Sequence, residues 1–261
     1  MKFKVLGCSG SRQPGHSLTS YCINDTLLLD AGAVCGYLDI EGQERITHIL
    51  ISHANLDHTK DLLFMADNLA GAVLAGRKDP LRVCSQIRVL QSLKKHLFNN
   101  DIWPDFTAIP SVERPTLILD PLEFGVPFRL AGLNIVAFPV PHSSGSTGYA
   151  LYGDNPEEHV VVTGDTGPNG GWTTFVNELP FPVKNLVVEC SFPNDLEGLA
   201  LTSDHLTPRL LRQKIERLDE KPVLYVTHLK ALYTRQIQEE LQRELAGYQY
   251  HLPRKGVVYN F

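Results

Sequence analysis

A chain of 261 residues that is 43% hydrophobic and 20% charged can bury a sizeable core, and it is too mixed in composition to be disordered or low in complexity. Its 24 basic against 29 acidic residues give a net charge of −5 with no dense Lys/Arg stripe, which makes long nucleic acids poor partners. No apolar run approaches the roughly 18 residues of a membrane helix, and the opening MKFKVLGCSGSRQPGH turns polar too early for a signal peptide, so no membrane partner and a cytoplasmic location are expected.

In chain order, short strands are predicted at 2–7 (KFKVLG), 19–24 (TSYCIN), 26–32 (TLLLDAG) and 48–52 (HILIS), with turn residues between them. Leu62, Leu63, Met65, Ala66 and Leu69 fall at helical spacing, which predicts a helix after His58. A strand near 81–84 and a helix over 87–99 follow. Between 116 and 165 the pattern is β again, in TLILD, PFRL, LNIVAFPV, GYALYG and HVVVTGD. Strands over 185–191, 222–229 and 257–261 then alternate with helices near 172–179, 207–218 and 231–247. The second of these helices has a defined start, with Thr207 as N-cap and Pro208 at the first helical position.

A β-rich half followed by alternating strands and helices predicts two sheets packed face to face under outer helices, an α+β four-layer αββα sandwich. No linker or fixed-period repeat divides the chain, so residues 1–261 are read as a single domain. Cys8, Cys22, Cys35, Cys84 and Cys190 are odd in number and form no CxxC pair, so they read as buried reduced thiols rather than a disulfide framework or a thiolate zinc site.

Residues able to bind metal gather at predicted strand ends, where loops can be aimed at one point without disturbing the core. His53, Asn55, Asp57 and His58 follow the 48–52 strand, His142 follows LNIVAFPV, Asp165 ends HVVVTGD, His205 precedes the 207–218 helix, and His228 ends PVLYVT. An isolated histidine after a strand is usually a packing or surface residue. So many at strand termini point to a metal site.

The order His53-x-Asn55-x-Asp57-His58, then His142, Asp165 and His228, resembles the five-part signature of the metallo-β-lactamase superfamily, whose members share the αββα sandwich. The resemblance implies two divalent cations, zinc or manganese. His53, Asn55 and His142 would hold metal one, Asp57, His58 and His228 metal two, and Asp165 would bridge. Asn55 stands where the signature has histidine. Its carbonyl oxygen is a weaker zinc donor than imidazole and suits oxygen-preferring ions such as Mn²⁺.

The runs KKHLFNNDIWPDF (94–106), VVECSFP (187–193), SDHLTP (203–208) and VTHLKA (226–231) resemble the class II cyclic-nucleotide phosphodiesterases within that superfamily. The implied activity is hydrolysis of 3′,5′-cyclic AMP or GMP to the 5′-monophosphate, with a small-molecule cyclic nucleotide as partner and a homodimer as the assembly. In this reading Asp57 and His205 are catalytic, with His205 set beside the phosphate or leaving oxygen. Ser191, Trp103 and Phe106 join His205 in substrate binding, and Glu189 and Asp204 orient imidazoles. The alternative for Phe98, Trp103 and Phe106 is an aromatic cluster beneath a helix. The alternatives for the whole protein are a ribonuclease Z-like phosphodiesterase, and a one-metal or non-catalytic relative that only binds a nucleotide.

Overall fold

A computed structural model describes residues 1–143, 145–155 and 157–261. The chain opens with β1 (Lys2–Gly7), β2 (Ser20–Ile23) and β3 (Leu27–Leu29), then α1 (Ile40–Arg45), β4 (His48–Leu50), α2 (Leu56–Leu74), β5 (Leu81–Ser85), α3 (Ile87–His96) and β6 (Leu117–Pro121). It continues with β7 (Phe128–Leu130), β8 (Leu133–Pro139), β9 (Thr147–Tyr152), β10 (His159–Val162), α4 (Trp172–Asn177), β11 (Asn185–Glu189), α5 (Glu197–Thr202), α6 (Pro208–Ile215), β12 (Val223–Thr227), α7 (Thr234–Glu244) and β13 (Tyr250–His251). The closing strand β14 (Val258–Asn260) returns to pair with β1.

Among the described residues these strands form two seven-stranded sheets, in the orders β14-β1-β2-β3-β4-β5-β6 and β13-β12-β11-β10-β9-β8-β7. Side-chain alternation along each strand sorts apolar residues between two faces. Leu27 and Leu29 of β3 join one buried cluster while Leu28 joins another, and Val187 of β11 is separated in the same way from Leu186 and Val188. The cluster of Phe3, Val5, Tyr21, Leu50, Ile135, Tyr149, Val187 and Tyr225 draws on both sheets and lies between them. A second packs Leu62, Met65, Leu69, Val89 and Leu93 of α2 and α3 on the first sheet, and a third packs Leu211, Ile215, Ile237 and Leu241 of α6 and α7 on the second. Helix, sheet, sheet and helix are thus joined by three apolar interfaces, the four-layer αββα sandwich.

Strand direction brings the chemistry to one edge. β3 and β4 are parallel. β8 runs antiparallel to β9, and β9 antiparallel to β10, so β8 points the same way as β10, β11 and β12, which are parallel neighbours. Loops leaving the carboxyl ends of these strands therefore emerge together, the usual place for a site in a sheet with parallel strands.

Several predicted boundaries move for local reasons. The strand expected to run to Asp165 stops at Val162, because Gly164 takes φ +64° and turns Asp165 off the ladder. The helix expected over 87–99 ends at His96, where the Asn99 side chain accepts from the amides of Asp101 and Ile102 and offers the backbone a turn instead. The Thr207 cap is present, its hydroxyl accepting from the Leu210 amide at 3.3 Å. Helices α1 and α5 and strand β13 carry too short a pattern to be read from sequence. No helix among the described residues is long and apolar enough to cross a membrane.

Gly148 of β9 lies opposite Phe138 of β8, and a Cβ there would fall 2.3 Å from the Phe138 ring. That ring is fully buried and stacked on Phe175 at 4.7 Å, so it has nowhere to move. Gly148→Ala should destabilise the fold by about 1–3 kcal/mol, seen as a lower urea midpoint at unchanged slope.

Candidate metal centre

Loops from both sheets place four imidazoles around one carboxylate. The Oδ2 atom of Asp165 lies 3.1 Å from Nε2 of His228, 3.3 Å from His58, 3.8 Å from His53 and 4.0 Å from His142. Asp57 joins from the first turn of α2, with its Oδ2 3.3 Å from His228 Nε2 and 3.9 Å from His58 Nε2. Two donor groups result, Asp57, His58, Asp165 and His228 on one side and His53, His142 and Asp165 on the other, each with ligand atoms within 4.8 Å of one another.

The outer nitrogen of each ring is tied down, which turns Nε2 inward. His58 Nδ1 donates to Asp30 Oδ2 at 2.7 Å, and His142 Nδ1 donates to the Asp204 carbonyl at 2.9 Å. The Ser52 hydroxyl donates to Asp30 Oδ2 at 2.8 Å and so accepts from His53 Nδ1 at 3.0 Å. The Ser191 hydroxyl donates to Glu189 Oε2 at 2.7 Å and accepts from His228 Nδ1 at 2.9 Å. Partners of this kind fix the tautomer in which Nε2 carries a lone pair.

Those lone pairs have little else to do. Nε2 of His53 and of His142 is buried without a hydrogen-bond partner among the described residues, an arrangement proteins rarely leave unsatisfied. Nε2 of His58 and of His228 face each other at 3.3 Å. Imidazole and carboxylate donors aimed at shared points fit divalent cations.

Electrostatics favour the ligating form of His53 and of the two carboxylates, whereas His58, where Asp165 and Asp30 outweigh burial, is held well above the usual imidazole range and gives up its proton only to a cation. Burial, followed by the neighbouring His58, pushes His53 well below the usual imidazole range and keeps it neutral. Burial would raise Asp165, but His228, His58 and His53 outweigh it and hold the carboxyl well below its usual range. At Asp57, likewise, burial is overcome by the hydrogen bond from His228 and the charges of His58 and His228. Deprotonated carboxylates and neutral imidazoles are what metal binding requires.

Backbone strain is concentrated here as well. Asp30, Asp204 and His228 sit at φ +59°, +50° and +62°, a region non-glycine residues seldom occupy. Each is tied to an imidazole of the centre or is one. Behind His228, a Cβ on Gly10 would fall 2.5 Å from the His228 carbonyl and 2.7 Å from its ring, so the 9–12 loop can back this residue only with glycine at that position.

His53, Asp57, His58, His142, Asp165 and His228 therefore converge as the sequence predicts. Asn55 takes the N-cap position of α2 and is exposed, and its side chain makes no capping bond. His205 stands beside the centre, with its ring 4.8 Å from that of His142 and 5.5 Å from that of His228, and its Nδ1 donates to Glu189 Oε1 at 2.6 Å. Glu189 also accepts the Thr166 amide at 2.9 Å.

Of the three expected substrate contacts, two are buried and one is half-buried. Ser191 is fully buried and serves the imidazoles instead of a ligand. Phe106 is 3% exposed inside the cluster under α2 and α3. Trp103 packs at the margin of the same cluster, with its indole N–H donating to the Leu63 carbonyl at 3.0 Å. Phe98 and Phe106 of the aromatic run are core residues, and Trp103 is half-buried beside them. Sequence reasoning missed Asp30 and Ser52, which a carboxylate closing the apolar run TLLLD and a serine just before His53 could have signalled.

Residues 36–229 match the beta-lactamase superfamily domain. The chain is 26% identical over 193 residues to 3′,5′-cyclic-nucleotide phosphodiesterase 1 of Saccharomyces cerevisiae, covering 67% of this chain and 51% of that protein. It is 24% identical over 133 residues to the 3′,5′-cyclic-nucleotide phosphodiesterase of Schizosaccharomyces pombe, covering 49% of this chain and 36% of the relative. The chain thus spans about half, or less, of the length of the curated relatives it matches.

In structure it is similar to unliganded yeast PDE1, with a TM-score of 0.83 at 18% identity over 100% of this chain and 99% of the other. The metallo-beta-lactamase fold protein YhfI of Bacillus subtilis gives 0.76 at 16% identity, over 100% of this chain and 99% of that one. The short form of human tRNase Z gives 0.66 at 17%, again over 100% and 99%. At such identities the likeness shows the fold. The family match starts before α1 and ends one residue past His228, enclosing every predicted ligand position, and the chain belongs to the metallo-β-lactamase superfamily.

Proposed function

We propose that the protein hydrolyses 3′,5′-cyclic nucleotides to 5′-monophosphates at a pair of divalent cations. The observation that carries this reading is the sharing of Asp165 Oδ2 between two sets of imidazoles, with His205 and Glu189 standing next to them. The names of the two fungal relatives support the choice of substrate class.

In this reading His53, Asn55, His142 and Asp165 hold one cation, and Asp57, His58, His228 and Asp165 the other. When bound, such ions neutralise phosphoryl oxygens and acidify a water, the two needs of phosphodiester hydrolysis at neutral pH. The chain's own residues do the rest. Asp57, whose side chain is 26% exposed, is the metal-two ligand open to substrate. His205 keeps its Nδ1 on Glu189, which leaves Nε2 to donate a proton to the departing 3′ oxygen. Glu189, outweighing burial, raises the His205 pKa and favours the proton-carrying form.

Ser191 couples the two tasks, because its hydroxyl joins the outer nitrogen of His228 to the carboxylate that orients His205. Asn55, offering an uncharged oxygen donor, weakens the first site toward zinc and leaves it better suited to Mn²⁺. A ribonuclease Z-like activity has a structural neighbour in human tRNase Z, but the net charge of −5 does not favour a polyanionic substrate.

Purified protein incubated with cyclic AMP and Mn²⁺ or Zn²⁺ should yield AMP, and a chelator should stop the reaction. Measurable nucleotide binding with no product under any metal would replace the hydrolase with a nucleotide-binding relative. His205→Ala should lower kcat by about 10²–10⁴-fold with the metal content unchanged by elemental analysis. Ser191→Ala should weaken metal binding by roughly tenfold, read by competition with a chromogenic chelator. Asn55→His should raise occupancy of the first site, and an unchanged metal-to-protein ratio would count against the ligand role given to Asn55.

A further inference from the structure

A cavity of about 450 Å³ lies between the 12–17 loop and the start of α2, and Arg12, His16, Lys60, Asp61 and Lys255 line it. In a protein of net charge −5, this lining is basic. Its one carboxylate is already engaged, since Asp61 pairs with Lys60 and accepts the Cys35 amide at 2.8 Å. Among the described residues neither Arg12 nor Lys255 is paired with a carboxylate. Both are exposed, and Lys255 lies over the Tyr37 ring at 5.6 Å. Two free cations converging on one concavity focus an attractive field for anions.

Both walls of the cavity lead to the second metal position. Lys60 follows Asp57 by three residues on α2, so the two side chains share a face, and Asp57 is the most exposed of the ligating carboxylates and imidazoles. On the other wall, His16 Nδ1 lies 3.3 Å from the Ser9 hydroxyl, and the following residue, Gly10, is packed on His228.

We propose that this cavity is a phosphate-binding subsite, separate from the metal cradle, in which Arg12 and Lys255 take the charge and His16 and Lys60 add ring and ammonium N–H donors. Arg12 supplies the planar fork that matches two oxygens of a phosphate, and Lys255 supplies a point charge. The phosphate belongs either to inorganic phosphate or to a nucleoside monophosphate. This subsite does not depend on the cyclic-nucleotide reading.

The test titrates inorganic phosphate into the metal-loaded protein by calorimetry, for the wild type, Arg12→Ala, Lys255→Ala and the double variant. Two phosphates per wild-type chain are expected, with the second weakened about fivefold by each single change and lost in the double variant. Identical stoichiometry and affinity in wild type and double variant overturn the proposal. A parallel arm uses AMP as inhibitor of cyclic AMP turnover: weaker inhibition of the double variant at unchanged kcat assigns the subsite to the nucleotide phosphate, and unchanged inhibition alongside loss of the second phosphate assigns it to free phosphate. Absence of turnover with the second phosphate still bound would remove the hydrolase reading and leave the subsite standing.

Discussion

One carboxylate oxygen organises the mouth of this sandwich. Asp165 Oδ2 has four imidazole nitrogens between 3.1 and 4.0 Å from it, and each of those rings is held from behind by a different hydroxyl, carbonyl or carboxylate. Donors crowded in this way repel one another, and Nε2 of His53 and of His142 sit unsatisfied in a buried site. They stay in place because they hang from strands locked by three apolar interfaces, and because backbone strain at Asp30, Asp204 and His228 is absorbed by the same framework. The fold is preorganised for a cation in the sense that the cost of assembling its ligands is borne during folding.

Much of that was legible from the sequence. Period-two apolar runs marked most strands, and helical spacing marked α2, α3, α6 and α7, since these elements owe their existence to burial patterns that sequence records directly. The convergence of these side chains was legible because most of them follow a strand or open the helix after one. What escaped were features created by the fold itself. Nothing local shows that Asp30 reaches across to His58, 28 residues away. Nothing local shows that Ser191, next to Cys190 in an apolar run, turns its hydroxyl to Glu189 and His228 rather than to a ligand. Trp103 and Phe106 look the same in sequence whether they stack a base or fill a core. Only burial separates the two cases, and it puts Phe106 in the core and Trp103 half-buried at its margin.

Asn55 illustrates how one position can serve two masters. As the residue before α2 it has the type most favoured for capping a helix, yet its carboxamide caps nothing while its carbonyl accepts from Thr59 Oγ1 at 2.9 Å. The helix keeps its start through the backbone and through Asp57 in the first turn, which suits the positive end of the helix dipole. The side chain left out of the capping scheme is exposed.

The 9–12 loop behind His228 carries a consequence for handling the molecule. His228 donates its amide to the Cys8 carbonyl at 2.8 Å, Gly10 presses on its ring, and Lys230 reaches back to the Gly10 carbonyl at 2.9 Å. The loop leaving the opening strand is therefore a structural support of His228, although more than two hundred residues separate them. Partial fraying of that strand would loosen the grip on cations long before the rest of the sandwich melts, so metal release can serve as an early gauge of local opening at the amino-terminal edge.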